Sequence, residues 1–151
     1  MIALVSGAAV ERLLIRATIN SSNYSQVILC APYIDHSAVA RLRALCVAAA
    51  QTGCAVTVIT TPGGVVLLKE FRQNPRLRMK LVVRARIHTK AYLMLARKFT
   101  QISEAVVTSA NLTLAGFRSN EELGVHIRCT SVGGRRLLEQ VDRSLRRLTI
   151  Q

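Results

Sequence analysis

The stretch QVILCAPYIDHSAVARLRALCVAAAQTGCAVTVIT, Gln26 to Thr60, decides the fold. Its first part, Gln26 to Pro32, is a short apolar run ended by proline, the pattern of a buried strand. Asp35 or Ser37 then stands where a helix N-cap belongs. Val39, Leu42, Leu45 and Ala49 follow at helical spacing until Gly53 stops the helix. Cys54 to Thr60 is a second apolar run of strand length, and Pro62-Gly63-Gly64 reads as a loop. Strand, helix and strand in this order make a β-α-β unit, which requires parallel strands joined by a right-handed crossover.

Working outward, Ser6 is placed to cap a helix reaching about Ala17, with Val10, Leu13, Leu14 and Ala17 on its apolar face. Beyond the unit, a short helical stretch over Val65 to Arg72 gives way to strand after strand. Arg76 to Val82 alternates basic and apolar residues as a half-exposed strand does. Ile87 to Leu95, Glu104 to Asn111 and Glu121 to Arg128 follow. A last helix runs from about Gly134 to Leu148, with Leu137, Leu138, Val141, Leu145 and Leu148 on one face and Arg135, Arg136, Arg143 and Arg147 largely elsewhere. That arginine face reads as solvated surface. The expected architecture is an α/β sandwich around a mixed sheet, with residues 1–151 as one domain.

Composition points to a partner. The chain carries 21 basic residues against eight acidic ones, a formal net charge of +13, which calls for a polyanion. Seventeen of the basic residues are arginine, whose planar fork meets two phosphate oxygens at once. Nine of the 21 fall between Arg72 and Lys98. Within that segment Arg76, Arg78, Lys80, Arg84, Arg86, Arg97 and Lys98 are the candidate nucleic-acid contacts. The chain has no tryptophan and only three tyrosines and three phenylalanines, which leaves few platforms for base stacking. Backbone contacts and weak sequence preference are therefore expected. The four cysteines show no metal or redox spacing and read as buried thiols. MIALVSGAA lacks the pattern of a signal peptide and no apolar run is long enough to span a membrane, so a soluble, cytoplasmic protein with no membrane partner is expected.

Inside the strand at Ile87 to Leu95, His88 and Lys90 sit two apart and so share a face. Ser109 and Asn111 have the same spacing in TSAN. Antiparallel pairing around a turn between Phe99 and Thr100 would set His88 opposite Asn111 and Lys90 opposite Ser109. A nucleophile, a fixed positive charge, a hydroxyl and an amide would then converge, a set suited to a phosphoryl group. His126 with Arg128 imitates the His88–Lys90 spacing, but arginine replaces lysine and no S-x-N follows. His126 reads as strand packing and His36 as an exposed residue at a helix start. No cluster of metal-ligand spacing is evident, so neither metal nor cofactor is expected.

IHTKAYL, then Asn111 in TSANLT, then Asn120 and Glu122 in SNEELGVHI, resemble the phospholipase D superfamily. The order of elements is similar to one such domain over almost the whole chain. The resemblance implies that His88 attacks phosphorus and forms a phosphohistidine. It implies that Lys90, Ser109 and Asn111 hold the non-bridging oxygens, and that Glu122 orients the histidine of the other half-site. Two positions depart from the family pattern. Leu95 stands where an aspartate is usual, and Thr108 where a glycine usually precedes the serine. Because a phosphohistidine route uses two imidazoles and the chain holds one H-x-K, the resemblance implies a homodimer with a shared active site. The expected function is a metal-independent phosphodiesterase, a nuclease of low sequence specificity acting on DNA rather than RNA. The alternatives are a catalytically inactive nucleic-acid-binding module of a larger restriction or defence complex, and a phospholipid phosphodiesterase.

Overall fold

The computed structural model describes residues 1–74, 76, 77 and 79–150. Seven strands form one mixed sheet: β1 Ile2–Val5, β2 Tyr24–Cys30, β3 Ala55–Thr60, β4 Met79–Val83, β5 Ala91–Ala96, β6 Glu104–Thr108 and β7 Gly124–Arg128. Their order across the sheet is β1-β7-β6-β5-β2-β3-β4. β2, β3 and β4 run parallel, as the β-α-β pattern requires, and every other pairing is antiparallel. Five helices accompany them: α1 Ala8–Ile19, α2 His36–Thr52, α3 Pro62–Leu67, α4 Lys69–Gln73 and α5 Val132–Ile150.

The sheet separates two apolar layers. On one face Val27, Leu29, Val56, Val58, Tyr92, Met94 and Val106 pack against Leu13, Leu14, Leu42 and Leu45 of α1 and α2. On the other, Ile28, Cys30, Ile59, Leu93, Ala105 and Ile127 meet Leu138 and Leu145 of α5. Successive residues of β2 are buried on alternate faces, so this central strand is a continuous apolar run. Each fully buried Leu or Ile side chain contributes about 1.5–3 kcal/mol relative to exposure, so these two layers are the main source of stability.

Local signals set the helix ends. The Asp35 carboxylate accepts the Ala38 N–H at 3.0 Å and caps α2. Gly53 closes the same helix at φ 69°, a left-handed geometry that favours glycine. At the far edge of the chain, the Arg84 Nε donates to the Leu148 carbonyl at 2.9 Å and satisfies one of the free carbonyls in the last turn of α5.

Several expectations need correction. MIALVSGAA contains an edge strand, β1, which sequence pattern alone did not separate from its surroundings. Ile2 and Leu4 are largely exposed there, so β1 lacks the buried alternation that marks a strand. The strand expected over Ile87 to Leu95 is β5, which begins only at Ala91. That expected over Glu104 to Asn111 ends at Thr108, and that over Glu121 to Arg128 starts at Gly124. A π-helical turn at Ala115–Ser119 was not anticipated.

The largest correction concerns register. β5 and β6 pair Ala91 with Val107 and Tyr92 with Val106, one residue away from the expected opposition of Lys90 with Ser109. The Lys90 carbonyl instead accepts the Thr108 N–H at 3.1 Å. In the loop between the strands the Ser103 hydroxyl oxygen accepts the Ala96 N–H at 2.9 Å, and buried Glu104 opens β6 opposite Met94.

Candidate active site

One end of the sheet gathers every candidate catalytic residue. The end of β6, the start of β5 and the start of β7 lie side by side there, through the pairs Ala91 with Val107 and Thr108 with Gly124. His88 and Lys90 precede β5, Ser109 and Asn111 follow β6, and Glu122 precedes β7. They flank the strand ends and do not pair within the ladder.

Lys90 is partly exposed and its Nζ donates to the His88 carbonyl at 3.1 Å, which folds this segment back on itself. The His88 ring is exposed, with no hydrogen bond among the described residues. Beneath Lys90 the thiol of Cys30 is pushed up to about 11 by burial, an effect the lysine charge opposes. Cys30 is thus a neutral thiol, part of the floor and not a competing nucleophile.

Ser109 is the hinge between the other segments. Its hydroxyl donates to the Glu122 carboxylate. The Leu123 N–H donates to the Ser109 oxygen at 3.2 Å, and the Ser109 N–H donates to the Leu123 carbonyl at 3.0 Å. The other oxygen of Glu122 accepts the Asn120 side-chain amide at 3.2 Å. N-x-E therefore forms one bonded unit with the serine. Thr108, where the family usually has glycine, fits because its hydroxyl donates to the Leu123 carbonyl at 3.0 Å and accepts the Ala110 N–H at 3.1 Å.

Asn111 is held from two sides. Its side-chain oxygen accepts the Tyr33 N–H at 3.4 Å, and the π-helical turn packs Gly116 against its backbone. Asp35 locks the same region. Besides capping α2, its second carboxylate oxygen accepts the Leu114 N–H at 2.6 Å, and its own N–H donates to the Leu112 carbonyl at 3.1 Å. Burial pushes the Asp35 carboxyl up, but these donors outweigh it and hold the group below its usual value. The wholly buried Tyr92 supports the floor by donating its hydroxyl to the Ala110 carbonyl at 2.7 Å. In sequence Asp35 is legible as a cap, but its second role depends on a contact 79 residues away.

The basic candidates are spread out. Arg86 is exposed just before His88, and Arg76 and Lys80 are exposed at and before the outer strand β4. Arg84 is engaged with the end of α5. Lys98 and Arg97 lie beyond the opposite end of β5, where Arg97 donates to the carbonyls of Tyr24 and Thr52 at 3.0 and 2.9 Å. Arg78 lies outside the described residues. Leu95, in place of the usual aspartate, is partly buried against the α5 layer. Among the described residues no group of three or more His, Cys, Asp or Glu side chains could hold a metal ion. No helix among them is long and apolar enough to cross a membrane.

His126 does more than pack. Its Nε2 lies 2.6 Å from an oxygen of Glu104, which also pairs with Arg16, in a part-buried cluster at the other end of the sheet.

Residues 15–149 match the family described as "Cardiolipin synthase, PLD-like domain", and the chain belongs to this phospholipase D-like family. No curated protein matches it. Among solved structures it is similar to NucT from Helicobacter pylori, at 15% identity and a TM-score of 0.60, covering 97% of this chain and 96% of that one. It is similar to Nuc, a phospholipase D family member from Salmonella typhimurium, at 17% identity and a TM-score of 0.59, covering 95% and 91%. It also resembles part of polyphosphate kinase from Porphyromonas gingivalis, at 20% identity and a TM-score of 0.64. That match covers 94% of this chain but only 26% of the kinase. These likenesses establish the phospholipase D-like α/β fold.

Proposed function

We propose that this chain is a metal-independent phosphodiesterase that cleaves nucleic acid, DNA in preference to RNA, through a phosphohistidine at His88. The observation that carries the reading is the gathering of an imidazole, an ammonium, a hydroxyl, an amide and a carboxylate at one sheet end, from three separate stretches of a phospholipase D-like chain. The His88 imidazole attacks phosphorus. A second imidazole protonates the departing oxygen, and that same imidazole then takes a proton from the water that hydrolyses the phosphohistidine. Lys90, Ser109 and Asn111 hold the oxygens on which charge builds.

One chain supplies one such histidine, so the second comes from a copy across a two-fold axis through the site. Glu122 orients the histidine of the facing half-site. Arg86 beside His88, with Arg76 and Lys80 on the β4 side, supplies a phosphate track of low sequence preference. Leu95 favours a second reading. Its partly buried side chain has taken over the position of a polar supporting group, as in a binding module that has lost turnover.

The decisive assay offers labelled single- and double-stranded DNA, RNA and anionic phospholipid to wild type and His88→Ala, with EDTA present. The family description names a lipid enzyme, so the lipid arm decides between substrate classes. Cleavage of nucleic acid that disappears with His88→Ala and survives EDTA supports the proposal. Purified heterodimers of wild-type and His88→Ala chains should be nearly inactive. Half activity there, or full activity in a stable monomer, overturns the shared site.

A further inference from the structure

The polar cluster around His126 sits at the far end of the sheet from His88. Strand β6 joins the two ends, and its five residues from Glu104 to Thr108 span roughly 13 Å. At this far end lies an open cavity of about 370 Å³, whose lining includes Arg16, Tyr24, Gln101, Glu104, His126 and Arg128. A single water occupies about 30 Å³ in the liquid, so the space exceeds what solvation of the wall requires.

The charges in this cavity are unequally spent. Glu104 is 4% exposed and carries the only negative charge in the lining. Its two oxygens accept Arg16 Nε and Nη2 at 3.1 and 2.8 Å, and the second also meets His126 Nε2 at 2.6 Å. The carboxylate is thus engaged by Arg16 and His126. Arg128 has no carboxylate partner among the described residues, and its Nε is buried without any hydrogen bond. Arg128 is partly exposed, so water reaches part of its guanidinium, but the buried Nε–H has no acceptor, a lack that an anion in the cavity would fill. Burial, followed by the nearby Glu104 charge, raises the pKa of Tyr24, whose protonated hydroxyl faces the Glu104 carboxylate and can turn to an incoming anion.

We propose that this cavity is a second ligand site, distinct from the candidate active site, which takes a phosphate monoester between Arg128, Arg16 and the Tyr24 hydroxyl. The Arg128 guanidinium, together with Arg16 Nη1, the Arg16 nitrogen that Glu104 does not engage, suits a tetrahedral group with several acceptor oxygens and more than one negative charge. Glu104 fixes Arg16 and His126 in place and keeps the empty site from holding a large uncompensated charge. The proposal does not depend on the catalytic reading, because it uses none of the residues assigned to that chemistry.

The test is a calorimetric titration of inorganic phosphate, adenosine monophosphate and adenosine into the full chain carrying Lys90→Ala, which weakens phosphate capture at the His88 end. Saturable binding of phosphate and the monophosphate, with none of the nucleoside, is expected. Adding Arg128→Leu should raise the phosphate Kd at least about tenfold, the scale of one lost charge-assisted contact. Nuclear magnetic resonance of the His126 ring in the Lys90→Ala protein gives a reading that needs no change in the cavity, and its signals should move on adding phosphate. Absence of saturable phosphate binding, a silent His126 ring, or equal affinity with and without Arg128 in a folded protein overturns the proposal.

Discussion

Replacing Gly116 by alanine tests how closely the backbone beneath the candidate site is packed. A methyl group there would lie 2.6 Å from the Asn111 carbonyl oxygen, 3.0 Å from its nitrogen and 3.1 Å from the Thr113 hydroxyl. Ordinary contact begins near 3.4 Å, so the chain must open by roughly 0.8 Å. The Asn111 segment has little freedom to yield. The carbonyl before it is held by Tyr92 at 2.7 Å, and the one after it by the Asp35 N–H at 3.1 Å. Overpacking of this kind costs about 1–3 kcal/mol. A displacement of the Asn111 amide on the order of 1 Å should also lower phosphodiester turnover about 100-fold. The control is Gly133→Ala in the first turn of α5, where nothing lies within 4 Å and stability should stay level or rise by up to about 1 kcal/mol. Urea unfolding and substrate hydrolysis are to be measured on both variants. A Gly116→Ala protein as stable as wild type refutes the packing argument. One that is destabilised but fully active refutes the role given to Asn111.

Acid should destabilise the fold in a defined window. Glu104, Glu11 and Asp35 are all held below their usual values in the folded chain. For Glu104, burial acts in the opposite direction, but the His126 bond and the Arg16 charge outweigh it; for Glu11, the bonds from Arg118 and then Arg41 dominate. A depressed folded pKa contributes stability that is present above the unfolded values of 3.8 for Asp and 4.5 for Glu, and is lost as pH falls below them. The Tm should therefore be flat above about pH 5 in this respect and fall below about pH 4, less steeply in Glu104→Gln. A Tm that rises on acidification contradicts these assignments. Asp35→Ala removes a helix cap and leaves the Leu114 N–H without its partner, and should lower the urea unfolding free energy by about 2 kcal/mol. An unchanged midpoint would mean that water replaces both contacts. His126→Ala should cost about 1–3 kcal/mol of stability through Glu104 yet leave turnover within about twofold, and lost activity in a folded variant would place the chemistry at the wrong histidine. Nucleic-acid affinity should fall steeply as salt rises and change little with sequence. A salt-independent Kd measured by fluorescence anisotropy would contradict phosphate-driven binding.

The β-α-β unit, the two long helices and the mixed sheet were legible in the sequence because each rests on a short-range signal. Examples are the Asp35 cap, the Gly53 stop, the apolar stripe of α2 and the unbroken apolar run of β2. The motif residues His88, Lys90, Ser109, Asn111 and Glu122 were legible too, since type and spacing survive without coordinates. Their arrangement was not. Register between β5 and β6 depends on how Ser103 and Glu104 settle after the loop, and one residue of offset changes every opposition. β1 escaped detection because an exposed edge strand lacks the buried alternation that pattern reading requires. Asp35 looked like a cap alone until the chain brought Leu114 to its second oxygen. His126 looked like packing until Glu104, 22 residues away, and Arg16, 88 residues from that glutamate, closed around it. Sequence determines which elements form and which side chains carry chemistry. Tertiary structure alone decides which buried charges meet, because each pairing depends on atoms that only the folded chain brings within hydrogen-bonding distance.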